Sequence, residues 1–85
     1  MLINVVGGPK EISIIVEAED TIKTVKDKIL ARMRELNLVL KGGANSSEMI
    51  ISYCGKILQD KSTVRSIGID NEDNITVNAA YFAAK

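Results

Sequence analysis

Histidine and tryptophan are absent from this chain, cysteine and proline occur once each, and aromatic residues make up only 4% of it. Without histidine the commonest general base at neutral pH and the commonest metal ligand are both missing. A lone cysteine, Cys54, forms neither an internal disulfide nor a CxxC zinc or redox site. No apolar run approaches the ~20 residues of a membrane span. The opening stretch MLINVVGGPKE lacks the basic and long apolar regions of a signal peptide. Lysine and arginine total 11, as do aspartate and glutamate, so no net field steers the chain toward nucleic acid or an anionic membrane. These absences argue against secreted, membrane-bound, metal-centred and most catalytic classes, and a reducing cytoplasmic or nuclear setting is expected.

What is present is aliphatic. Hydrophobic residues supply 46% of the 85 positions, enough for one small domain whose core is built from Ile, Val and Leu. Burying each such side chain is worth roughly 1.5–3 kcal/mol before chain entropy is subtracted.

The apolar residues change period along the chain. In MLINVV, Met1, Ile3 and Val5 alternate, and in EISIIVE, Ile12, Ile14 and Val16 do the same. Between them Gly7-Gly8-Pro9-Lys10 reads as a turn, so the pair predicts a β-hairpin. From Ile22 the spacing becomes helical. Ile22, Val25, Ile29, Met33, Leu36 and Leu40 fall on one stripe at 100° per residue. Thr21 suits the N-cap, Glu19 and Asp20 the positive end of the dipole, and Gly42-Gly43 a stop. The stretch GGANSSE then reads as a flexible loop. MIISYC follows as a strand with Met49, Ile51 and Tyr53 on one face and Ile50, Ser52 and Cys54 on the other. Cys54-Gly55-Lys56 turns the chain into a very short strand at Ile57-Leu58. DKSTVRSIGID holds one helical turn under Val64 and Ile67, and NITVNAAY supplies the last strand with Ile75 and Val77 inward. A hairpin, one amphipathic helix and three further strands predict an α+β fold, a β-grasp roll with a mixed sheet of four to five strands packed on the helix. The first and last strands pair in parallel at its centre.

No catalytic constellation accompanies this fold. Gly55-Lys56 imitates the end of a phosphate loop, but Ile50 stands where that motif needs glycine. Cys54 beside Lys56 lacks a base, and reads as a turn residue. Asp60 and Asp70 read as solvated loop carboxylates rather than paired acids. Lys23, Lys28, Arg32 and Arg34 line the outer helix face without interleaved aromatics, which favours a solvated surface over a phosphate-binding one. Two glycosylation-type triplets, at Asn45 and Asn74, are read as chance. No cofactor, metal or small-molecule substrate is expected.

Two stretches carry a resemblance. EAEDTIKTVKDKI resembles the segment entering the helix of ubiquitin. GKILQDKSTVRSIGIDNEDNITV resembles the second half of ubiquitin and, more closely, ubiquitin-like domains of proteasome shuttle proteins of the ubiquilin type. The resemblance implies a protein-binding module over residues 1–82 with a flexible tail at 83–85. Lys26 and Asp60 match two positions that pair in ubiquitin, so an ion pair is expected between them. Leu58, Val64, Ile67, Ile69 and Ile75 match core or core-edge positions.

The binding positions depart from the family pattern. The apolar patch by which ubiquitin-like proteins are gripped has its central isoleucine at a position matching Ser52, with Thr76 and Asn78 at its histidine and valine. The resemblance thus implies a protein-binding face at Val6, Ile50, Ser52, Lys56, Thr76 and Asn78, weakened at its centre. Leu2, Ile15 and the Tyr81-Phe82 pair are further apolar groups expected on the surface. Conjugated members end in Gly-Gly, matched here by Ala83-Ala84 before Lys85. The segment between Ile29 and Met49 is also longer than in ubiquitin. The expectation is therefore a non-conjugated, non-catalytic interaction domain, the N-terminal module of a larger adaptor in a ubiquitin- or proteasome-related pathway. Its partners would be proteins, and the domain itself a monomer. A modifier with an altered or truncated terminus and a structural self-association module are the alternatives.

Overall fold

The computed structural model describes residues 1–84. Strands β1 (Leu2–Val6) and β2 (Ile12–Ile15) form the hairpin, with Val5 opposite Ile12 and Ile3 opposite Ile14. Because side chains alternate across a strand, Ile3, Val5, Ile12 and Ile14 all enter the core while Ser13 and Ile15 stay outside. Gly7 begins the turn at φ +82°, where an added Cβ would lie 2.4 Å from the Val77 carbonyl oxygen, so no other residue fits without moving β-sheet backbone.

Helix α1 (Ile22–Glu35) crosses this sheet. Thr21 caps it, its hydroxyl accepting the Thr24 N–H at 3.3 Å. Ile22, Val25, Ile29 and Met33 are fully buried, the stripe that the 3.6-residue period requires. After the helix come β3 (Leu38–Leu40), single turns at Lys41–Gly43 and Ser46–Glu48, and the short strands β4 (Ser52–Tyr53) and β5 (Lys56–Ile57). Cys54 and Gly55 join β4 to β5 with φ values of 51° and 80°, the positive pair demanded by a tight two-residue hairpin turn. Helix α2 (Val64–Ile67) is held by a reciprocal cap between Thr63 and Ser66. Strand β6 (Asn74–Thr76) then returns beside β1, with Val5 opposite Ile75 in parallel register. The mixed sheet has five strands in the order β2-β1-β6-β4-β5.

Three expectations need correction. The helix stops at Glu35, although the apolar stripe continues to Leu40. Asn37 adopts φ 63° and its N–H donates to the Arg34 carbonyl at 3.0 Å, a left-handed end that comes before Gly42 can act. Leu40 therefore belongs to β3. Residues Phe82–Ala84, of which the last two were expected in the tail, form β7 and pair antiparallel with β3, Leu40 opposite Phe82 and Leu38 opposite Ala84. Phe82 is only 4% exposed and belongs to the core rather than the surface. Finally, GGANSSE is not a structureless loop, since the Asn45 side chain accepts the Ser47 N–H at 3.0 Å. Lys85 lies outside the described residues.

Candidate functional site

The helix covers one side of the sheet, and the other side is open. Val6 stands opposite Thr76, Thr76 opposite Ser52, and Ser52 opposite Ile57. Cross-strand partners point to the same face, so these four side chains form one row across β1, β6, β4 and β5. Their neighbours along each strand, Val5, Ile75, Ile51 and Leu58, are buried on the helix side. Ser52 is half-buried and Thr76 exposed at the middle of the row, while Ile57 at its end is 63% exposed. Ile50, two residues before Ser52, is exposed on the same face.

The structure thus brings Val6, Ile50, Ser52 and Thr76 together. It does not bring Lys56 to them by register: Lys56 pairs with Tyr53, and the pleat turns both away from the face of Ser52. Asn78 is exposed, but its side chain is engaged in accepting the Ala80 N–H at 2.9 Å. Ile57 completes the row. Sequence reading missed it as a site residue because a two-residue strand carries no alternation; its signal lay in the Cys54-Gly55 turn, which fixes Ser52 opposite Ile57.

Two polar contacts brace this region from behind. Lys26 Nζ donates to Asp60 Oδ1 at 2.5 Å, with the lysine side chain 5% exposed and the aspartate 33%. Tyr53 donates its hydroxyl to Asp73 Oδ2 at 2.5 Å, and the same oxygen accepts the Asp70 N–H at 2.9 Å. The Tyr53 hydrogen bond, seconded by the Asp70 amide, holds the Asp73 carboxyl below its ordinary value of 3.8. The Tyr53 phenol is pushed up, chiefly by that hydrogen bond to Asp73 and next by burial. At the helix entrance Asp20 is lowered by the Glu17 N–H first and by Lys28 second.

Both aspartates have folded values below their unfolded ones. Their stabilisation is complete above about pH 5 and is lost as pH falls through the unfolded and then the depressed folded values. The urea midpoint is therefore expected to stay level above that point and to fall below it. An Asp20→Asn, Asp73→Asn variant should begin less stable at pH 7 and show a flatter acid limb. An acid limb as steep as that of the parent would show that other carboxylates govern it.

The sheet order, the single long helix across it and the open face together define an α+β β-grasp domain. The model of the Ubiquitin family matches residues 3–80, and the chain belongs to that family. A comparison with curated proteins finds no significant match.

Proposed function

We propose that the chain is a non-catalytic protein-interaction domain, the N-terminal module of a larger adaptor acting in a ubiquitin- or proteasome-related pathway of the cytoplasm or nucleus. The observation that carries this reading is the uncovered row Val6–Thr76–Ser52–Ile57 on a ubiquitin-family fold. Its centre is polar, so receptors that need an apolar anchor there bind weakly. The missing methylenes are worth a few kcal/mol at an interface centre. At about 1.4 kcal/mol per decade, that removes a micromolar interaction. The pairing of Ala83 with Val39 and Ala84 with Leu38 supports the reading that these two residues are not a free conjugation tail.

A domain that grips the sheet face of ubiquitin provides the test. Titrated into this protein, it is expected to give no saturable binding in the micromolar range. The Ser52→Ile variant should gain at least about tenfold in affinity, since the substitution restores apolar area at the centre of the row. Micromolar binding by the parent, or no gain in the variant, would overturn the polar-centre explanation. Capture of protein partners by the parent but not by a Val6→Asp, Ile50→Asp variant would support the interaction role itself.

A further inference from the structure

Strand β5 is an outer edge of the sheet, paired only with β4. The Leu58 N–H points back toward β4 and donates to the Ile51 carbonyl at 3.0 Å. Backbone direction alternates along a strand, so the N–H and C=O of the preceding residue, Ile57, face away from the sheet. An outward donor–acceptor pair is a template for one more strand.

The side chains around this edge select what that strand can be. Ile57 stands exposed on the outer face, and Lys56 lies on the other. Lys61 borders the shallow depression beside Ile57. Lys56 and Lys61 are exposed, and neither joins an ion pair among the described residues. Asp60, the acid next to Lys61, is already engaged by Lys26. The edge thus carries Ile57 on one face, Lys56 beside Tyr53 on the other, and Lys61 alongside. A second copy is a poor occupant. Antiparallel pairing of two β5 edges about Ile57 would set each Lys56 diagonal to its own counterpart and bring two like charges near each other with no acidic group between them.

Resting on the interaction-domain reading, the geometry points to β5 as the docking edge for an extended peptide that alternates apolar and acidic residues. Its backbone pairs with the Ile57 N–H and C=O. An apolar side chain stacks beside Ile57 on the outer face, an acidic one meets Lys56 on the other, and a further acidic group faces Lys61. The central Val6–Thr76–Ser52 part of the row stays uncovered.

The probe is a short synthetic peptide of alternating valine and glutamate with blocked ends, titrated into the isotope-labelled protein and followed by amide shifts. Saturable shifts are expected at Ile57 and its neighbours Lys56, Leu58 and Gln59, weakening as salt is raised. In a Lys56→Glu, Lys61→Glu variant the affinity should fall about tenfold, and a valine–lysine peptide should bind instead. Both positions are exposed, and unchanged shifts at Ile3, Val5 and Ile75 verify the fold. Shifts confined to Val6, Ser52 and Thr76, equal affinity for acidic and basic peptides, or no shift at millimolar peptide would each overturn the edge assignment. So would shifts at β5 produced by raising the protein concentration alone, which would make the occupant a second copy. The partner-capture experiment on the sheet face is unaffected by any of these results, so the two readings fail separately.

Discussion

Replacing Phe82 with alanine is expected to lower the unfolding free energy by about 3–5 kcal/mol, the range for emptying a buried phenylalanine site. The side chain is 4% exposed and belongs to the same core as Ile3, Ile29 and Met33. Leu40, partly buried against that core, stands opposite Phe82, so truncation also strips cover from β3. A two-stranded ribbon is marginal by itself. With its aromatic anchor gone, β7 should detach and amide exchange should speed up at residues 38–40. Against a total stability of about 5–15 kcal/mol for a small domain, the loss is large. Urea unfolding should show it as a lower midpoint with an unchanged slope. Were residues 82–84 an unattached tail, the change would stay within about 0.5 kcal/mol, as for ordinary surface substitutions.

That contrast marks where the sequence could and could not be read. Ile3, Val5, Ile12, Ile14, Ile22, Val25, Ile29, Met33, Ile75 and Val77 are buried as their periods predict. Burial at a period of two or 3.6 is a local property, written into each segment. The end of α1 is not. Leu36 and Leu40 keep the helical stripe going, while the stop comes from the backbone of Asn37, which an apolar pattern does not register. Strand β7 is harder still. The turn Ala79–Tyr81 breaks any alternation after Val77, and Phe82 becomes a strand residue only because β3, distant in sequence, lies beside it.

The candidate site divides in the same way. Ser52 could be placed outward because Ile51 must point in, and its registry with Thr76 follows once β4 and β6 are neighbours. The side of β5 that Lys56 takes follows from the Cys54-Gly55 turn, which pairs it with Tyr53, and a two-residue strand carries no alternation from which to read it. The Tyr53–Asp73 contact joins residues 20 apart through side chains that no periodic pattern relates. The open face is legible as a surface; its true apolar end, Ile57, emerges only from pairing.

Asp60→Ala is the second large effect, an expected loss of about 3 kcal/mol. Removing one partner of a buried ion pair typically costs 3–5 kcal/mol, because the other charge stays behind without compensation. Here the charge left behind is the Lys26 ammonium, whose side chain is 5% exposed and has Asp60 as its partner. The aspartate side chain is 33% exposed, so water can enter the vacated space, which places the loss at the low end of the range. The variant tests the side chain alone. The backbone contacts of this loop with the start of α1, Lys23 N–H to the Asp60 carbonyl at 3.1 Å and Ile22 N–H to the Ser62 carbonyl at 2.8 Å, need no carboxylate. Adding Lys26→Met to Asp60→Ala removes the stranded charge and fills its volume with apolar atoms. The double variant should therefore recover most of the stability, and can exceed the parent. Urea unfolding at pH 7 separates the cases. A single variant within about 0.5 kcal/mol of the parent would mean that the ammonium escapes to water. A double variant as weak as the single would mean that the pair itself, rather than the cost of an orphaned charge, holds α1 against the loop between β5 and α2.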